Sequence, residues 1–156
     1  MRRQDRQLTD AADLKAILEK SDTLSLAMQD DECPYLVQLH YGTEWDGEGP
    51  IVLYAHSAKE GHKLDCLAKD PHIAVFIHNS VEMIEAEVPC GYGSRFESLF
   101  GRGTGEVVTD LEEKTHALKV LMRSVAHKEF EFDEKMVNSV AVIKMTLTEY
   151  TAKAHR

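Results

Sequence analysis

The stretch HIAVFIH at 72–78 is almost continuously apolar and rich in β-branched and aromatic residues. Such a run is a strand buried on most of its surface. Other runs share its character: TLSLAM at 23–28, CPYLVQLHYGTEW at 33–45, IVLYAH at 51–56 and VAVIKMTLTEY at 140–150. Pro34 opens the second of these, where a missing N–H is tolerated. The turn DGEGP at 46–50 lies between two apolar runs and predicts a hairpin. VEMIEAEV at 81–88 is expected to be extended, and SRFESLFGRGTGEVVT at 94–109 to be a long strand bent at its glycines.

Helices interrupt this pattern without alternating with it. TDAADLKAILEK at 9–20 places Ala11, Leu14, Ile17 and Leu18 on one stripe, with Thr9 or Asp10 as N-cap. A second helix follows IVLYAH, with Leu64, Leu67 and Ala68 on one face and KDP at its end. A third spans 109–126, with Thr109 and Glu112 spaced as a capping box and Leu111, Leu118, Met122 and Val125 along one side. FDEKMVNS at 132–139 predicts a short helical turn. The order is not the βαβα of a doubly wound sheet. It predicts a mainly β chain, a small antiparallel barrel with peripheral helices.

The 156 residues suffice for one domain with its own core, expected to span 1–156. A formal charge of −9 argues against a general nucleic-acid binder but leaves room for a small basic pocket. Cys33, Cys66 and Cys90 are odd in number and show no Cys-x-x-Cys spacing, so a reducing cytoplasm is expected and none is assigned to a cofactor site. The opening MRRQDRQLTD lacks the apolar run of a signal peptide, and no stretch approaches the ~20 apolar residues that span a bilayer.

Several chemistries lack their motif. Glycines at 91–93 and 101–105 do not form the dinucleotide-binding pattern. The close histidine pairs, His56/His62 and His72/His78, are six apart and share no helical face, so no metal is expected. No nucleophile elbow surrounds a serine or cysteine.

One stretch is denser in polar donors than a turn requires: YAHSAKEGHKLDCLAKDP at 54–71. Ser57 and Glu60 have capping-box spacing, which would start the helix at Ala58; a second register starts it at Gly61 or His62. Either places free backbone N–H groups and a positive dipole end beside a buried strand, a ready phosphate site. Lys59 and Lys63 are four apart, and Lys63 can reach back to an anion. An ordinary capped helix with two solvated lysines explains the same residues. The residues alone do not choose.

The segments MRRQDR, PYLVQLHYG, YAHSAKEGHKLDCLAKDP and RFESLFGRGTGEVVTDLEEKTHAL, in that order, resemble the flavin-binding split-barrel proteins of the pyridoxamine 5′-phosphate oxidase-like superfamily, and within it the nitroimidazole-resistance branch. The resemblance implies a six-stranded antiparallel split β-barrel of the FMN-binding type. It implies a homodimer with FMN, or alternatively FAD, at the interface. NAD(P)H would donate electrons and a small acceptor such as a nitroaromatic would receive them. The phosphate would lie near His56, Ser57, Gly61 and Lys63. Val37, Gln38 and Leu39 would offer backbone groups to the flavin ring, and Phe96 and Ser98 would approach from the partner subunit. Two positions depart from the branch: Gln38 stands where proline is common and His62 where arginine is common. Histidine is not permanently charged as arginine is, so with His62 the phosphate site is expected to be less positive. His56 is a candidate catalytic proton donor, with a hydrogen bond to phosphate or backbone as its preferred alternative. Other functions open to such a barrel are a non-catalytic flavin carrier or sensor, and a haem- or F420-binding relative.

Overall fold

The computed structural model describes residues 4–156, with backbone only at Ser80 and Val81; the MRR of the first resembling segment lies outside the described residues. A short 3-10 turn, Gln4–Arg6, leads into β1 (Gln7–Leu8) and α1 (Ala11–Lys20). β2 (Thr23–Met28), β3 (Tyr35–His40), β4 (Gly42–Glu44) and β5 (Ile51–Ser57) follow, then α2 (His62–Lys69). β6 (His72–Ile84), β7 (Gly93–Val107), α3 (Leu111–Ala126), α4 (Glu134–Asn138) and β8 (Ala141–His155) complete the chain.

All the strands belong to one 8-stranded antiparallel sheet in the order β3-β2-β6-β7-β8-β5-β4, with β1 attached to β8. The two ends of that path, β3 and β4, are consecutive pieces of chain separated only by Tyr41. The sheet therefore curls until its edges meet in one bent strand. Counting β3 and β4 together, and β1 as a two-residue stub, gives the six strands of the expected split barrel. The bend is fixed from outside and inside. The Tyr41 side chain is buried, and its hydroxyl donates to the Leu18 carbonyl at 2.7 Å. A Cβ on Gly42 would lie 2.7 Å from the Leu121 backbone, so α3 can cross only over glycine.

The barrel interior is filled from alternate positions of the strands: Leu24, Leu26, Ile51, Leu53, Val75, Ile77, Leu99, Ile143 and Met145 are buried. Each such side chain contributes roughly 1.5–3 kcal/mol. Leu14, Ile17 and Leu18 of α1 pack against this core. α3 adds a second cluster with Tyr54, Ala117, Leu118, Val120 and Val142. The predicted apolar side of this helix is corrected accordingly: Leu111 is exposed, and Ala117, Leu118, Val120 and Leu121 are its buried apolar residues.

HIAVFIH and the start of VEMIEAEV are one continuous strand, paired with β7 from His72 to Ile84 with a register shift between Ser80 and Glu82. β7 shifts register against β8 at Arg102/Gly103, where a Cβ on Gly103 would strike the Thr146 carbonyl. The glycine-rich segment thus bends as the sequence implies. The cap of α3 is one residue later than expected: the Asp110 carboxylate, not Thr109, accepts the Glu113 amide at 2.9 Å.

Candidate functional site

β5 pairs with β4 only at Val52, Leu53 and Tyr54. Its last residues, Ala55, His56 and Ser57, pair with β8 on the other side. β3 ends the sheet path and is hydrogen-bonded along one edge, to β2. From the Gly42–Tyr54 pair the two strands therefore diverge. One wall of the resulting split is the open edge of β3, with Val37, Gln38 and Leu39; the other is the end of β5, with His56 and Ser57. α2 begins beside it, since the His62 ring meets Tyr35 of β3 edge-on at 4.8 Å. Seven of the residues proposed from sequence, Val37, Gln38, Leu39, His56, Ser57, Gly61 and Lys63, thus belong to the elements that border one split.

The start of α2 is the second of the two registers. Ser57 is still strand, buried, and its hydroxyl donates to the Ala58 carbonyl at 2.8 Å. The Ser57/Glu60 capping box and a start at Ala58 are therefore corrected. The N-cap is Gly61, at φ 140 and ψ 157, and no side chain caps the helix. Few residues but glycine adopt that backbone conformation. A Cβ there would meet nothing within 4 Å, so conformation rather than crowding selects glycine, and the turn is open to approach. Lys59 precedes the helix, so it does not share a helical face with Lys63; Lys63 lies half-buried in the first turn. In that turn the Leu64 and Asp65 amides already donate to the Gly61 carbonyl, at 2.9 and 3.4 Å; the amides before them, of His62 and Lys63, stand at the positive end of the helix dipole.

The His62 side chain is tied to a carboxylate. Its Nε2 lies 2.7 Å from Oδ2 of Asp30, in the loop between β2 and β3. This hydrogen bond, with one from the Asp31 backbone, holds the Asp30 carboxyl below the usual carboxylate range. Asp31 in turn accepts from Lys69 at 3.0 Å. Where arginine is common in the resembling branch, this chain has a residue tied to a carboxylate.

Phe96 and Ser98 occupy different ground. In sheet order β2 and β6 separate β7 from β3, so one chain does not bring these two residues to the α2 turn. They stand on the outer face of the sheet. Phe96 stacks on His78 at 6.2 Å, with the Arg6 guanidinium 6.0 Å and Lys153 Nζ 5.3 Å from its ring centre. Ser98 is buried opposite His78. Gln38 reaches this face too: it donates to Thr23 at 3.1 Å and lines a cavity of about 260 Å³ with Ser25, Phe76 and His78. Sequence reasoning missed His78, although the period of two in HIAVFIH puts it on the face of Phe76. It also missed Asp30, which has no local signal. A larger cavity, about 690 Å³, contains Ala27, His72, Arg102 and Glu149 but none of the proposed residues.

Comparison with known proteins agrees with the fold. The model of the pyridoxamine 5′-phosphate oxidase family matches residues 10–154, and the chain belongs to that family. A proposed 5-nitroimidazole antibiotic resistance protein from Bacteroides thetaiotaomicron is 30% identical, over 95% of this chain and 86% of that one, with a TM-score of 0.79. An FAD- and haem-binding protein from Mycobacterium smegmatis shares the fold at 18% identity, over 97% of this chain and 74% of its own, with a TM-score of 0.81. An FAD-binding protein from Mesorhizobium loti shares it at 20%, over 97% and 98%, with a TM-score of 0.69. No curated protein matches. Among the described residues, no helix is long and apolar enough to cross a membrane.

Proposed function

We propose that this chain binds a flavin mononucleotide at the split and acts, as a homodimer, as an oxidoreductase that takes electrons from NAD(P)H and passes them to a small acceptor such as a nitroaromatic. The carrying observation is the uncapped start of α2 at Gly61, with Lys63 in its first turn, at the mouth of the split. A bound dianion is held by several hydrogen bonds and a cation. The His62 and Lys63 amides and the Lys63 ammonium are of the right kind to supply them, and the Ser57 hydroxyl could join them only by leaving the Ala58 carbonyl.

When bound, a flavin supplies hydride and single-electron chemistry. The chain's own residues bind and orient it. The open edge of β3 presents backbone N–H and C=O groups from alternate residues of the stretch Val37, Gln38 and Leu39, suited to a heterocycle's edge. His56 is exposed at the end of β5, where it can hydrogen-bond phosphate or hold a proton for a reduced acceptor. The homodimer is supported by the outer face of the sheet, where Leu36, Phe76 and Phe100 are 62%, 42% and 38% exposed. On that face a second copy would bring its own Phe96 and Ser98 toward the site.

The purified protein's absorbance spectrum tests this reading. Oxidised-flavin bands that bleach with NAD(P)H under anaerobic conditions are expected. Flavin bands that NAD(P)H leaves unchanged would mean a carrier or sensor, and a Soret band a haem protein. Sedimentation of the flavin-loaded protein as a monomer would remove the dimer.

A further inference from the structure

His62 and Cys66 lie four residues apart on α2, and therefore on one helical face. Both side chains point to Asp30 in the loop that ends β2. The ligand atoms of Asp30, His62 and Cys66 all lie within 4.8 Å of one another. We propose that these three residues form a binding site for a divalent transition cation, Zn²⁺ foremost.

A tetrahedral zinc with bonds of about 2.0–2.3 Å places its ligand atoms roughly 3.3–3.8 Å apart. The observed cluster needs only small shifts to reach that spacing, the His62–Asp30 contact opening from its 2.7 Å. The donor set is one imidazole, one carboxylate and one thiol. Thiolate and imidazole select zinc-like ions over calcium and magnesium. The thiol proton passes to solvent as the sulfur–metal bond forms.

The surroundings already hold the ligands in place. Tyr35 packs edge-on against His62 at 4.8 Å. The Lys69–Asp31 ion pair joins the same helix to the same loop at 3.0 Å. Cys66 is buried at 1% exposure, whereas the His62 side chain is 49% exposed and leaves an entry path. Three protein ligands leave a fourth position for water. The ion would clip the β2–β3 loop to the first turn of α2.

The site is separate from the flavin reading, and its test needs no turnover. Co²⁺ is titrated into the full chain as purified, and difference spectra are recorded against the metal-free sample. The cysteine background is Cys33→Ser/Cys90→Ser, which removes the two exposed thiols. A thiolate-to-cobalt charge-transfer band is expected in this background, with displacement by Zn²⁺. Cys66→Ala should abolish the band. His62→Asn, at an exposed position, should weaken binding at least about tenfold while a thermal melt shows the variant folded. Absence of the band in the background protein overturns the site. So does a band that survives Cys66→Ala, or one unmoved by His62→Asn.

Discussion

At the start of α3 the Asp110 carboxylate accepts the Glu113 amide at 2.9 Å, and Glu112 and Glu113 add negative charge to the first turn. At the start of α2, Gly61 brings no side chain, and the first turn carries both Lys63, where the dipole is already positive, and Asp65. α1 and α4 follow α3, with Asp10 and Asp133 as caps. A lysine in a first turn opposes the helix dipole by about 0.3–1 kcal/mol. The α3 terminus is complete in itself. The α2 terminus has no side-chain cap, and in the proposed function an anion takes that place. Both belong to the same barrel, so the difference is local and can be tested one residue at a time.

The largest effect is expected at Lys63. Lys63→Met should weaken FMN by about 1.5–3 kcal/mol, the scale of a hydrogen bond to a charged group, without lowering the melting temperature. Fluorescence titration measures the first and a thermal melt the second; a loss confined to stability would make Lys63 a packing residue. Next comes Gly61→Ala. The positive φ of 140 is strained for any residue with a Cβ, so this variant should lose about 1–3 kcal/mol of folding stability in chemical denaturation. Asp110→Ala should cost about 1 kcal/mol by the same measurement, because α3 loses its cap, and should leave FMN affinity unchanged. Loss of FMN in Asp110→Ala would erase the contrast between the two helix starts. The smallest effect belongs to Lys59, exposed in the turn before α2: Lys59→Met should change FMN binding by less than about 1 kcal/mol.

Much of the barrel was legible because its strands carry period-two burial and its helices carry apolar stripes. The errors fall where local rules compete. Ser57 and Glu60 have capping-box spacing, yet the β8 ladder extends β5 through Ser57 and turns its hydroxyl to Ala58. The helix then waits for Gly61, the residue that can take the required φ. Thr109 lost the cap of α3 to Asp110 by one position. Pairing with β7 carries β8 to His155, past the apolar run that ends at Tyr150. At the site, the α2 turn could be read from donors crowded into one stretch. His78 and Asp30 could not be read with the same ease, because strand pairing and loop placement bring them into position from distant parts of the chain.

The most direct measurement is the affinity of the wild-type protein for FMN and for riboflavin, which share the ring and differ by the phosphate. An anion site at Gly61 and Lys63 predicts FMN tighter by at least about 1.5–3 kcal/mol, roughly ten- to a hundredfold. The preference should shrink as salt is raised, because exposed charges are screened. Equal affinity for the two ligands would contradict a phosphate at the start of α2.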